Sequence, residues 1–372
     1  MAWDYAADEP TLKAMAECRI NMVCFVAPNM LDLCQKYGLK AIVFDERIAG
    51  KRWDEPFDPE KARKQIPEVI REINNHPAVY GYHIKDEPSA SEYPALAKIA
   101  DVVKQQAPGK WPYINLFPGE GDSYDDYLEK FAEICKPPII SYDRYVLGED
   151  GKFGVGFWVN IAQVRECSVK HKIPFWNIVL TAPHWQYREL TPADIRMQVW
   201  GSLVYGAQGI SYYKFCSGSL PILDAPDLGN FRMGPLDEFG EKTQTWEWLR
   251  NVNRQVLNIA PVYLKLRSND VYHIAEETPK RNHAPSNTTL VKTVPKGEWV
   301  VGDFTHEDGS RYVMIVNRSM ENSSVCIPEF NQLVKKLEYV SPIDGKTKPY
   351  PSPYYWLAPG QGVLLKVTLD DK

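Results

Sequence analysis

Up to about residue 260, short apolar runs rich in β-branched and aromatic residues alternate with helix-like stretches, and this alternation limits the fold more than any other feature. The runs are Met1–Tyr5, Ile20–Ala27, Lys40–Asp45, Val79–Ile84, Pro112–Phe117, Pro138–Tyr142, Phe175–Thr181 and Gly209–Phe215. Between them lie Pro10–Cys18, Pro59–Asn74, Glu92–Gln106, Tyr124–Ile134, Val159–Lys170 and Pro192–Tyr205, with Asp58 and Thr191 placed as N-caps before Pro59 and Pro192. Strands separated by helices pair in parallel, because each helix carries the chain back along a sheet face. Eight such repeats predict an α/β fold, a (β/α)8 TIM barrel rather than an open doubly wound sheet. No Gly-x-Gly-x-x-Gly follows the first run, so the dinucleotide signature of the open-sheet alternative is missing.

After Trp246–Ile259, read as the last barrel helix, the pattern changes. Short strand-like runs follow without helices: Val271–Ala275, Trp299–Thr305, Tyr312–Asn317, Val325–Ile327, Leu337–Val340 and Gly362–Leu369. Turn signals at Glu307-Asp-Gly, Ile343-Asp-Gly and Ala358-Pro-Gly separate several of them. The expected organisation is a catalytic barrel over residues 1–262 and a C-terminal β-sandwich over 266–372.

The fourth run ends in a group of charged residues. Val79–Ile84 breaks into Lys85-Asp86-Glu87-Pro88, and Pro88 stops a strand because it has no N–H to donate. Two carboxylates therefore stand at the carboxyl end of a strand, the rim on which barrel active sites are built. The competing reading makes them an acidic entrance to the helix from Glu92. Bulk composition narrows the partners. A net charge of −5 offers no footprint for nucleic acid, and no apolar run reaches the length of about 20 residues that membrane insertion needs. Seven scattered cysteines without a C-x-x-C pair fit buried thiols, and the histidines show no H-E-x-x-H spacing, so neither a metal nor another cofactor is expected. Eleven Trp and 21 Tyr exceed what a core of this size requires and suit a carbohydrate cleft, where aromatic faces pack on sugar rings. No signal peptide precedes the first run, which fits a cytoplasmic protein, or a periplasmic or secreted one whose leader was removed. Oligomeric state is not readable.

A carboxylic acid followed by Pro at the end of a barrel's fourth strand resembles the clan A glycoside hydrolases, and more narrowly the bacterial β-galactosidase-like group with a trailing β-domain. Tyr113-Ile-Asn-Leu-Phe-Pro118, Pro138-Ile-Ile-Ser-Tyr-Asp143, Pro174-Phe-Trp-Asn-Ile-Val179, Val204-Tyr-Gly-Ala-Gln-Gly209 and Gly234-Pro-Leu-Asp-Glu-Phe-Gly240 carry the likeness by their order. The resemblance implies a glycosidase acting on an oligo- or polysaccharide, with Glu87 as general acid. It departs from the clan at Asp86, where an Asn is usual, and at the seventh strand, whose tip carries no glutamate. The second carboxylate is then Asp143 at the end of strand six by preference, with Glu189 in the loop after strand seven, and Asp45 and Glu46 at the end of strand three, as the alternatives. An ion pair with Arg144 is the structural reading of Asp143, and a surface helix entrance that of Glu189. Expected substrate contacts are Asp86, Lys85, Asn115, Tyr145, His184, Trp185, Tyr213 and Lys214. A non-catalytic carbohydrate-binding protein that has lost its nucleophile is the rival, and a lyase using Lys85 or Lys214 as a Schiff-base amine is the third reading.

Overall fold

The computed structural model describes residues 1–5, 8–49, 57–148, 150–218 and 229–370. The chain forms two compact units, one of Met1–Arg144, Glu166–Trp185 and Gly209–Trp246, the other of Tyr145–Arg165, Gln186–Gln208 and Glu247–Lys372.

The first unit holds a parallel sheet of seven strands in sequential order: β1 (Met22–Val26), β2 (Lys40–Val43), β3 (Val79–Asp86), β4 (Trp111–Leu116), β5 (Ile140–Asp143), β6 (Phe175–Leu180) and β7 (Gly209–Tyr213). Residues 1–3 join its two edges. Ala2 bridges both Val23 and Tyr212, Cys24 N–H donates to the Ala2 carbonyl at 2.8 Å, and Trp3 N–H donates to the Tyr212 carbonyl at 3.0 Å. The first expected strand, Met1–Tyr5, is thus reduced to two bridges at one residue, Ala2. Asp4 leaves the ladder because its carboxylate accepts from the N–H groups of Phe215 (3.1 Å) and Cys216 (2.8 Å).

Helices return the chain between strands: α1 (Glu9–Glu17), α2 (Leu31–Lys36), α3 (Glu46–Ala49), α4 (Pro59–Ile73), α5 (Tyr93–Gln106), α6 (Asp122–Cys135), α7 (Gly156–His171), α8 (Pro192–Val204) and α9 (Gln244–Tyr263). Asp58 and Thr191 cap α4 and α8 as the sequence predicts, each accepting N–H groups of the first turn. All seven cysteines are free thiols, six of them buried and Cys216 half-buried.

Inside the curled sheet, Trp3, Phe25, Ile42, Tyr113 and Ile178 form one apolar cluster against which Trp111 and Trp176 pack. The tryptophans need room that only glycine leaves. A Cβ on Gly209 would stand 2.2 Å from the Trp176 ring. Gly209→Ala is therefore expected to lower stability by about 1–3 kcal/mol through overpacking, read as a lower urea midpoint with an unchanged slope.

The second unit contains a six-stranded antiparallel sheet in the order Thr347–Pro349, Val334–Val340, Gly362–Leu369, Arg311–Asn317, Trp299–His306 and Leu266–Ile274. Its partner layer is not a full sheet. Two ribbons, Ser324–Val325 with Trp356–Leu357 and Val291–Thr293 with Glu329–Phe330, cover a core centred on Trp299, Val313, Ile315 and Leu365. Glycines let α8 approach the same sheet closely: a Cβ on Gly302 would meet the Val204 carbonyl at 2.2 Å, and one on Gly362 the Trp200 ring at 2.5 Å. Contact of this kind explains why nearly every residue of α8 is buried and why it lacks the one-sided apolar stripe of a surface helix.

Candidate active site

The end of β3 is irregular, and that irregularity gathers its acids. Pairing with β4 shifts register between His83 and Lys85, after which Asp86 lies opposite Asn115 and the Glu87 N–H donates to the Asn115 carbonyl at 2.9 Å. Glu87 then takes a left-handed backbone conformation, φ +48°. Strict alternation would send Asp86 and Glu87 to opposite faces; with the shifted ladder and the reversed φ both lie within electrostatic reach of Asp143. Helix capping is not their task. Ser89 and Glu92 form the capping box at the entrance to the following helix.

Asn115, on β4, is the hub. Its amide nitrogen donates to Asp86 Oδ1 at 3.1 Å and to Asp143 Oδ1 at 3.0 Å. Two oxygens sharing one nitrogen in this way lie within about 6 Å of each other. The amide cannot flip, because Ser141 Oγ donates to Asn115 Oδ1 at 2.9 Å. With the serine proton so committed, the Tyr113 hydroxyl donates to Ser141 at 2.7 Å and accepts from Trp3 Nε1 at 3.1 Å. This relay runs through β4, β5 and the N-terminal segment and is buried throughout.

The three carboxyl groups all hold their protons more tightly than usual. Burial raises Asp86 to about 6, against the opposing hydrogen bond from Asn115 and the charge of Lys85. Burial and the Asp86 charge raise Asp143 to about 7, again against Asn115. Glu87 is exposed as a residue, yet loss of water around its carboxyl group and the charges of Asp143 and Asp86 push it up to about 8, with Lys85 opposing. Arg144 does not pair with Asp143 but with Glu120, at 2.5 Å. Groups with split proton affinities at one rim are the arrangement acid–base chemistry requires.

Aromatic rings flank the acids. Tyr5, Phe25, Phe44 and His83 pack edge-on and stacked at centroid distances of 4.8–5.9 Å, and burial together with Lys85 holds His83 neutral, its pKa pushed down to about 3. Around β7, Tyr213 meets His184 (5.4 Å) and Phe231 (5.8 Å), while Trp185 lies against His184 at 5.2 Å and is largely exposed. Lys214 places its ammonium 4.8 Å from the Phe231 ring, and Lys85 its own 5.6 Å from Phe57. The Tyr213 phenol senses the charges of Asp4, Asp86, Asp143 and Glu87, which raise its pKa beyond the effect of burial. Phe25 (φ +58°) and Trp185 (φ +44°) share the left-handed backbone of Glu87, so three rim residues carry backbone strain of the kind that collects at functional sites.

Asp86, Glu87, Asn115 and Asp143 therefore converge, and Lys85, Tyr213, Lys214, His184 and Trp185 belong to the same unit. Tyr145 and Glu189 belong to the second unit. There Tyr145 sits edge-on to Tyr187 at 5.9 Å, and Glu189 is exposed while neighbouring Arg188 grips the buried Asp194 through two contacts of 2.7 Å. Tyr5, Phe25, Phe44, Phe231 and Ser141 were missed as site residues. The only signal for the first three was their place within two residues of the ends of predicted strands, which core aromatics share.

No protein-family model matches the sequence, and no curated protein matches it. Solved structures do match. The β-galactosidase of the psychrophilic Marinomonas ef1 aligns over 70% of this chain and 58% of its own, with 12% identity and a TM-score of 0.55. The GH5_18 protein of Streptomyces cattleya, in complex with GlcNAc, aligns over 66% and 74%, with 12% identity and a TM-score of 0.52. The β-galactosidase of the Antarctic haloarchaeon Halorubrum lacusprofundi aligns over 70% and 57%, with 11% identity and a TM-score of 0.50. The chain thus spans under three fifths of the length of either β-galactosidase. At this identity the likeness is one of fold: a curled parallel α/β barrel of the TIM type with a C-terminal antiparallel β-domain, built like the clan A glycosidases.

Proposed function

We propose that the chain is a glycoside hydrolase that cleaves O-glycosidic bonds of an oligo- or polysaccharide, with residues 1–262 as the catalytic part. The observation that carries this reading is that one locked amide, Asn115, holds Asp86 and Asp143 together, with Glu87 beside them through its backbone N–H to the Asn115 carbonyl. Burial and the neighbouring acids raise both groups, Glu87 to about 8 and Asp143 to about 7, which makes Glu87 the better placed of the two to hold a proton near neutral pH. Glu87 would pass that proton to the glycosidic oxygen as the bond to C1 breaks, and ionised Asp143 would meet the positive charge developing at C1 as nucleophile or base. Tyr213, Trp185 and His184 would offer ring faces to the sugar, and Asp86, Asn115, Lys85 and Lys214 would bond its hydroxyl groups. The test is hydrolysis of a panel of aryl glycosides and oligosaccharides by the wild-type chain, which would also name the sugar.

One feature favours a second reading, a carbohydrate-binding protein without turnover. The tip of β6 passes through Leu180 into Thr181 and Ala182 with no acid, and the Thr181 hydroxyl donates to the Lys214 carbonyl at 3.0 Å. Oligosaccharide binding by calorimetry, with no reducing ends released, would select that reading.

Asp143→Asn separates the roles by pH. With one negative charge fewer beside it, Glu87 should ionise at lower pH, so the alkaline limb of the rate profile moves down. Stability should respond as well. Folded Asp143 keeps its proton to about pH 7, whereas the unfolded chain releases it near pH 4. Its contribution to stability is therefore full below about pH 4 and lost as pH rises through 7. The variant should gain in Tm over wild type at pH 8 relative to pH 4; an equal difference at both would remove the assignment.

A further inference from the structure

Helices α6 and α7 carry a set of donors that the acid cluster does not use. Cys167 and His171 stand four residues apart on α7, so they share one helical face a turn apart. Glu129 faces them from α6. Their sulfur, nitrogen and oxygen donor atoms all lie within 4.8 Å of one another. We propose that Glu129, Cys167 and His171 form a binding site for a divalent metal ion of the zinc type, which ties α6 to α7.

Thiolate, imidazole and carboxylate together suit a borderline-soft ion that prefers four ligands, with water in the fourth position. Metal–ligand bonds of about 2.0–2.3 Å in tetrahedral geometry place neighbouring donors roughly 3.3–3.8 Å apart. The separations here, from 2.6 Å between His171 Nε2 and Glu129 Oε2 to the 4.8 Å limit, bracket that range. Small side-chain rotations therefore suffice. At present the imidazole and the Lys170 ammonium, at 2.8 Å, share the carboxylate. Lys170 has 63% of its side chain exposed, so solvent can take its ammonium when a metal displaces it. Cys167 is 4% exposed. Binding balances as follows: the Cys167 S–H bond breaks, one proton leaves to solvent, and the thiolate, neutral imidazole and carboxylate each donate a lone pair.

The test uses the full chain, stripped with a chelator and titrated with Co2+. A thiolate-to-cobalt charge-transfer band in the near ultraviolet should grow to one equivalent and bleach when Zn2+ is added. Cys167→Ser should lose the band, and His171→Gln should keep it with at least a tenfold weaker affinity. Lys170→Gln should bind more tightly than wild type. Zn2+ should raise the Tm of wild type but not of Cys167→Ser. No band at excess Co2+, or a band that persists in Cys167→Ser, overturns the proposal. Should Cys167→Ser not fold, unchanged affinity in His171→Gln overturns it equally.

Discussion

Glu87→Gln should lower kcat/KM by about 10²–10⁴-fold on substrates with poor leaving groups, the usual worth of general acid catalysis. The loss should shrink for aryl glycosides whose leaving phenol needs no proton. Glutamine keeps the size of the side chain and the hydrogen bond from its N–H to Asn115, so the left-handed turn persists and the change isolates the proton. Wild type should also show an alkaline limb near the Glu87 pKa of about 8, and the variant should lack it. Activity within tenfold of wild type on poor leaving groups, with the limb intact, would mean that another group supplies the proton.

Asn115→Ala should be the most damaging change that leaves every acid in place. It removes the donor shared by Asp86 and Asp143 and the acceptor of Ser141. Each polar group left without a partner in the interior costs about 1–3 kcal/mol. The pH dependence distinguishes this from simple cavity formation. The amide stabilises the ionised carboxylates, so its loss should raise the Asp143 pKa from about 7 and shift the acid limb of the rate profile upward. Destabilisation in urea should likewise be larger at pH 8 than at pH 5, where Asp86 and Asp143 are mostly neutral. Ser141→Ala should reproduce a weaker form, because the amide then regains freedom to turn. Equal destabilisation at both pH values would reduce Asn115 to a packing residue.

The barrel strands were legible because each is a short β-branched or aromatic run, and every interior run recurs within two to three residues of its expected limits. The first strand was overextended because Asp4 looks like a strand end in sequence, whereas its carboxylate collects N–H groups from the loop after β7. Of the β-domain ribbons only the strand at Ser324–Val325 was expected, as Val325–Ile327, since strands of two or three residues show no period. Asp86, Glu87, Asn115 and Asp143 could each be named as strand-end residues. That one amide holds two of them is a matter of register, set by the shift between His83 and Lys85, and no local pattern announces it. Phe25 and Phe44 were invisible for a different reason: an aromatic that closes a strand inside a barrel reads the same whether it faces a ligand or fills the core.

The left-handed turn at Glu87 also bears on how such a chain would change over time. Asparagine and glycine occupy that conformation at less cost than glutamate, and the half-buried Asp86 and buried Asp143 would fold more readily as neutral amides above neutral pH. Mutational drift screened for heat resistance alone should therefore erase these acids early, one favourable step at a time. A lineage that keeps them is held there by something other than its melting temperature.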